Sequence, residues 1–162
     1  MSYKFKLMNK NIFCYTTLIG KIFIAEENNE IINLFFKKPG NINSFLFFES
    51  KTLKSAASQL NLYLNGKIKK FNLRFNPNVS DYAKNVLNEL TKVPYGKTVT
   101  YSQLAQNLLK PTHSRAVAMI NSRNPIPIFI PCHRVIRKNG NIGGYLGGIK
   151  LKKYLLDLEN AK

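Results

Sequence analysis

Apolar and polar positions along the first 36 residues follow the short period of strands. IFCYTTLIG (12–20), KIFIA (21–25) and IINLFF (31–36) are rich in β-branched and aromatic residues and are separated by turn-forming stretches, which predicts strands. The Asn28-Asn29 pair before the last of them suits a hairpin. Residues 37–50 carry no period that assigns them. From Thr52 the period lengthens: Leu53, Ala56, Ala57, Leu60 and Leu64 share one face and Gly66 follows, which predicts a helix with a glycine stop. KIKKFNLRF (67–75) resembles a final strand, and NPNVSD beyond it reads as a linker.

Residues 80–123 predict three short helices. Ser80 can cap the first, whose inward face is Ala83, Val86, Leu87 and Leu90, and Pro94 and Gly96 end it. Thr100 with Gln103 forms a capping box for YSQLAQNLL, with Leu104, Ala105 and Leu108 inward. Lys110 and Pro111 break the chain again. The third helix, Ser114 to Ser122, turns Ala116, Val117 and Ile120 one way and Arg115, Ala118, Met119 and Ser122 the other. Two helices joined by a short turn, the second with a small and basic outer face, suggest a helix-turn-helix. Small Ala118 and Ser122 would allow close approach to a groove floor, and Arg115 could reach a phosphate or enter a base stack. The plainer alternative is a solvated helix with an ordinary arginine.

The apolar run Ile126, Ile128, Phe129 and Ile130, interrupted by prolines 125, 127 and 131, predicts an extended segment. It ends abruptly on Cys132, His133 and Arg134, so a thiol, an imidazole and a guanidinium arrive where a packed segment is expected to meet an opening. A free thiol is only a few per cent thiolate at neutral pH, and the thiolate is the nucleophile. His133 next door lies on the opposite face of an extended chain, so direct contact needs a turn or a bridging water. The imidazole in turn needs a partner, ordinarily a carboxylate. No Asp or Glu stands between Glu89 and Asp157. In the last predicted helix Leu151, Tyr154, Leu155 and Leu158 form an inward stripe. Glu159 borders that stripe, whereas Asp157 falls beside Lys153, so Glu159 is the expected partner. A lone cysteine is more often a small buried hydrophobe; Cys-His with an inward glutamate favours chemistry. Beyond it, RKNGN predicts a turn and GGYLGG a glycine-flanked loop in which Tyr145 could stack on a base.

Charge sharpens the choice of partner. The 162 residues hold 25 Lys and Arg against 8 Asp and Glu, a formal net charge of +17. Such a field favours polyanions, nucleic acid above all, although a biased genome can also load a chain with lysine. The acid-free stretch from Leu90 to Leu156 holds 11 Lys or Arg, so positive potential covers the candidate site itself. Two cysteines, Cys14 and Cys132, do not make a disulfide framework and suggest a reducing, intracellular (cytoplasmic) setting. No secretory signal or membrane span is expected from the N-terminal residues. Cys14 and His113 are isolated, so no metal site is expected.

IPCHRVI, preceded by SRNPIP and followed by GNIGGYLGG and LKKYLLDLE, resembles the methylated-DNA–protein-cysteine methyltransferase family, the O6-alkylguanine-DNA alkyltransferases. VPYGKTVTYSQLA and SRAVAMINSRNP match the family in order and spacing. The resemblance runs continuously from about Val93 to Glu159 and is fainter before it. It implies an α/β protein: a small N-terminal α/β domain of ribonuclease-H-like topology (residues 1–76) and a helical C-terminal domain with the helix-turn-helix (residues 77–162). It further implies repair of double-stranded DNA, in which an O6-alkylguanine is flipped out and its alkyl group passes irreversibly to Cys132, once per molecule and without a cofactor. By the same resemblance His133 takes the thiol proton through a water, Glu159 holds His133, and Asn124 is the hinge asparagine. Tyr101 rotates the nucleotide and donates a proton to the leaving base, and Arg115 fills the vacated stack. Pro127, Val135, Tyr145, Leu146 and Gly147 line the base pocket, while Ser102, Lys110 and Lys138, with the outer face of the third helix, lie against the DNA. A monomer is expected, and clustering along DNA is left open.

Departures from the family pattern are Met119 where Gly or Ala is usual, Leu146 in place of a small pocket residue, and Asp81-Tyr82 where a Phe-led pair is common. They bear on adduct size and DNA affinity. Two rival readings remain: a non-catalytic lesion-binding module of the alkyltransferase-like kind, against which Cys132 stands, and a cysteine hydrolase with a Cys-His-Glu set.

Overall fold

The computed structural model describes residues 10–108 and 113–160. The chain divides into two compact units, the first ending at Asn78 and the second beginning at Val79.

In the first unit, β1 (Lys10–Thr17), β2 (Gly20–Glu27) and β3 (Glu30–Phe35) form an antiparallel meander, and β4 (Leu46–Phe47) pairs in parallel with β1, giving the order β3-β2-β1-β4. The first strand stops earlier than the apolar run suggests, and Leu18-Ile19 make the turn. Asn28 and Asn29 both adopt positive φ, 53° and 63°, as a primed hairpin turn requires. Buried Glu26 fastens that turn, accepting from the Asn29 amide at 2.9 Å. Helix α1 (Lys51–Leu64) is capped by Ser50 and buries Leu53, Ala56, Ala57, Leu60, Tyr63 and Leu64. The stretch 67–75 departs from the expected strand. It meets the sheet at its end, where Phe75 bridges to Ile31 and the Arg74 carbonyl accepts from the Ile31 amide at 2.9 Å, while the Gln59 side chain holds Asn72 through two hydrogen bonds.

The second unit begins with α2 (Asp81–Thr91), capped by Ser80 and buried at Val86, Leu87 and Leu90. Strand β5 (Val99–Thr100) runs into α3 (Tyr101–Gln106), whose N-terminus carries the complete Thr100–Gln103 capping box. Helix α3 is shorter than its apolar pattern, ending before Asn107-Leu108. Helix α4 (Ser114–Ser122) packs on α3 and α2 and buries Val117 and Asn121. Strand β6 (Val135–Ile136) pairs in parallel with β5, and α5 (Ile149–Leu158) closes the unit.

Two expectations in this unit are corrected. Residues 126–131 are not extended: Pro127 and Ile130 bridge across a tight turn with Ile128 at φ 72°, and the Ile130 amide returns to the Ile126 carbonyl at 2.9 Å. Proline-rich composition mimics a strand edge, but a β-branched residue at positive φ marks a strained turn held by its surroundings. The inward face of α5 is Lys152, Leu155, Leu156 and Glu159, whereas Tyr154 is exposed. Only Leu155 is shared between the expected and observed stripes that otherwise differ by one residue. Among the described residues no helix is long and apolar enough to cross a membrane.

Candidate active site

Cys132, His133 and Arg134 occupy a single 3-10 turn between the tight turn and β6. Asn124 fixes the approach to it. Its amide nitrogen donates to the Ile130 carbonyl at 2.9 Å, and its oxygen accepts from the Ile126 amide at 3.0 Å, so one buried side chain spans the whole loop. Asn121, which sequence reasoning missed, donates from α4 to the Cys132 carbonyl at 3.3 Å. The backbone of the turn is thus held by two asparagines.

Behind the thiol lies a buried ionic hub centred on Glu159. Its carboxylate meets His133 Nε2 at 2.9 Å, Arg134 Nε at 2.9 Å, a second Arg134 nitrogen at 2.9 Å, and the Gly96 amide at 3.0 Å. Arg134 also donates to the Val93 carbonyl at 2.6 Å. A neutral imidazole donating from Nε2 to a carboxylate keeps its basic nitrogen at Nδ1. Burial holds His133 below its ordinary pKa; the Glu159 carboxylate opposes that and Arg134 adds to it. The Glu159 partnership was legible in the sequence, but Arg134 and Gly96 were not. Gly96 sits at φ 74° with the Glu159 backbone oxygen 2.9 Å from where a Cβ would stand, so a side chain there meets both strain and backbone.

The thiol is not exposed at a surface opening, as the sequence suggested, and is not a ready anion. Cys132 is 1% exposed, and burial pushes its thiol up to about 11 against partial opposition from Asn124, Lys152 and Tyr145. Lys152 is fully buried, donating to the carbonyls of Val135 at 2.7 Å and Gly144 at 3.4 Å, and burial lowers its amine to about 8. An acid whose pKa is raised holds its proton longer as pH rises. Trapping of Cys132 by a haloacetamide in the DNA-free protein is therefore expected to quicken about tenfold per pH unit from 7 to 10. A trapping rate already level at pH 7 would contradict this.

A cavity of about 260 Å³ opens beside the turn, lined by Tyr101, Asn121, Ser122, Gly144, Tyr145 and Leu146. Four residues anticipated at a base pocket or groove, Tyr101, Ser122, Tyr145 and Leu146, meet here. Pro127, Val135 and Gly147 are not among the lining residues. Pro127 is buried in the tight turn, and Val135 is buried with its carbonyl on Lys152. Burial raises the Tyr101 phenol, as the Cys132 sulfur does more weakly, while Arg137 and a bond from Asn121 pull it back. Arg115, Ser102 and Lys138 are exposed, as are Met119 on the outer face of α4 (50%) and Leu146 (57%); Ala118 is half-buried. Lys110 lies outside the described residues. A larger cleft of about 850 Å³ between α2 and the end of α3 holds none of the expected site residues. Among the described residues no group of three His, Cys, Asp or Glu could hold a metal.

Known proteins resemble this chain in sequence and fold. Residues 81–161 match the family model described as the 6-O-methylguanine DNA methyltransferase DNA-binding domain. A Methanosarcina acetivorans methylated-DNA–protein-cysteine methyltransferase is 38% identical over 146 residues, covering 88% of this chain and 94% of that one. The inducible Bacillus subtilis protein of the same name is 37% identical over 150 residues, covering 92% and 84%. A crystal structure of Mycobacterium tuberculosis OGT in complex with DNA superposes with a TM-score of 0.85 at 31% identity, covering 93% of this chain and 92% of that one. The sheet unit followed by a helical unit is the architecture of alkyl-DNA repair proteins of this kind. The chain belongs to the methylated-DNA–protein-cysteine methyltransferase family.

Proposed function

We propose that this protein repairs alkylated duplex DNA by moving the alkyl group of an extruded O6-alkylguanine, O6-methylguanine first among them, onto Cys132. The observation that carries the reading is the Glu159 hub behind the Cys132–Arg134 turn, with a cavity of single-base scale beside it. That volume lies near the small end of ligand pockets, as suits one base with a small adduct.

In the proposed step the thiol proton passes through a water to His133, and the sulfur displaces guanine at the alkyl carbon. The S–C bond forms as the C–O6 bond breaks, and Tyr101 donates a proton to the departing base. The net exchange is thiol plus O6-methylguanine to thioether plus guanine, with no oxidant and no cofactor. Glu159 stabilises the imidazolium that forms, and Asn124 and Asn121 hold the nucleophile's loop. Extrusion of a paired base takes a few kcal/mol, less for a damaged pair; Arg115 at the start of α4 would occupy the vacated stack. The exposed side of α4, with Ala118, Met119 and Ser122, would face the groove, and Ser102 and Lys138 would meet the backbone. Because the resting thiol is protonated, His133 must act as base during the reaction, and neutral His133 persists to below its ordinary pKa. The protein works on this reading as an intracellular monomer.

A molar excess of oligonucleotide containing O6-methylguanine tests it. Methyl uptake is expected to stop at one equivalent per protein. Continued release of product would indicate a hydrolase, and tight binding without uptake a non-catalytic lesion-binding module.

A further inference from the structure

Arg137 has no role in the chemistry above, yet its placement is specific. The RKNGN turn that carries it is bonded to itself: the Arg137 amide donates to the Asn141 carbonyl at 2.9 Å, and the Gly140 amide returns to the Arg137 carbonyl at 3.0 Å. Asn139 accepts from the Asn141 amide at 3.1 Å, and Asn141 accepts from the Gly143 amide at 2.8 Å. The side chain is therefore projected from a fixed base. It lies against Gly143, where a Cβ would stand 3.7 Å from its Cγ and Nε and 3.8 Å from the Tyr101 hydroxyl. Guanidinium and phenol thus converge over a glycine, next to Gly144 and Tyr101 in the cavity wall.

Among the described residues no carboxylate pairs with this charge, and the acid-free stretch from Leu90 to Leu156 surrounds it in sequence. Of the two acids beyond that stretch, Glu159 is committed to His133 and Arg134, and Asp157 is exposed on α5. Lys152, a second cation coupled to Arg137, spends its amine on backbone carbonyls. A guanidinium is built to grip two oxygens of a phosphate at once. A phosphate joined to a nucleotide in the cavity would have to pass its rim.

We propose that Arg137 is the clamp for the backbone phosphate adjoining the extruded nucleotide, so that the site discriminates a nucleotide within a strand from a free alkylated base. This rests on the proposed transfer reading. The clamp also keeps a positive charge beside the Tyr101 hydroxyl as that group gives up its proton.

The test compares wild type, Arg137→Gln and Arg137→Lys on two substrates, O6-methylguanine in duplex DNA and the free base O6-benzylguanine, with DNA affinity measured across a salt series. For Arg137→Gln the ratio of DNA to free-base transfer rates is expected to fall about tenfold or more, and the slope of log affinity against log salt to become shallower by about one unit. Arg137→Lys should restore the slope, because one charge is regained, and only part of the rate ratio, because a lysine cannot grip two oxygens. An unchanged ratio, or an unchanged slope, overturns the clamp. If wild type takes up no methyl at all, the transfer reading fails instead, and the salt slope still decides whether Arg137 meets a phosphate.

Discussion

Glu159→Ala is expected to lower the unfolding free energy by about 3–5 kcal/mol and to remove alkyl transfer from the molecules that remain folded. The magnitude follows from what is left behind. Glu159 is buried and satisfies His133, Arg134 and the Gly96 amide together. Its removal leaves a buried guanidinium with the Val93 carbonyl and the Tyr95 ring but no carboxylate among the described residues, and a buried unpaired charge is among the most destabilising defects in a protein interior. Activity falls for a separate reason, since the imidazole loses the group that fixes its tautomer and stabilises its protonated form. Urea unfolding followed by circular dichroism reads the first effect, and methyl uptake under native conditions reads the second. Glu159→Gln separates them further: the amide can keep part of the bonding, while the charge that supports imidazolium is gone. A Glu159→Ala protein as stable as wild type would show that the hub does not hold the unit together.

Cys132→Ala is expected to abolish transfer and to retain binding to DNA. The hydrogen bonds from Asn124 and Asn121 that shape its loop end on backbone atoms of Ile126, Ile130 and Cys132, and these survive loss of the sulfur. Helix α4 and the cations around it are likewise untouched. Fluorescence anisotropy with a lesion-bearing duplex checks retention of binding, and intact-mass analysis checks loss of transfer. Residual methyl uptake by this variant would place the acceptor elsewhere, at Cys14 for example, the other free thiol.

Which parts of this site could be read from the sequence follows from how local their causes are. The Thr100–Gln103 capping box and the bounds of α4 depend on residues within four positions of each other, and both are found where the pattern put them. The His133–Glu159 pairing was reachable because few acids compete and only one leans inward. The binary pattern failed where a cation is buried. Lys152 stands at i with Leu155, Leu156 and Glu159 at i+3, i+4 and i+7, a true inward stripe. Counting lysine as a surface residue shifted the predicted stripe by one and placed Tyr154 inside. Its burial is sustained by carbonyls of Val135 and Gly144, which no local pattern shows. Arg134 was passed over for the same reason, although a guanidinium beside the histidine was in plain view. The turn at 126–131 was misread because prolines and β-branched residues look alike at a strand edge and in a strained turn. What folds it is Asn124, through two bonds that only the three-dimensional structure displays.

The dependence of function on one sulfur is tested most directly by digesting the protein after exposure to O6-methylguanine DNA and weighing its peptides. A single methyl on the peptide containing Cys132, present in as many copies as guanines restored, is the predicted result. Restored guanine with an unmodified Cys132 peptide, or a methyl found on any other residue, would contradict it.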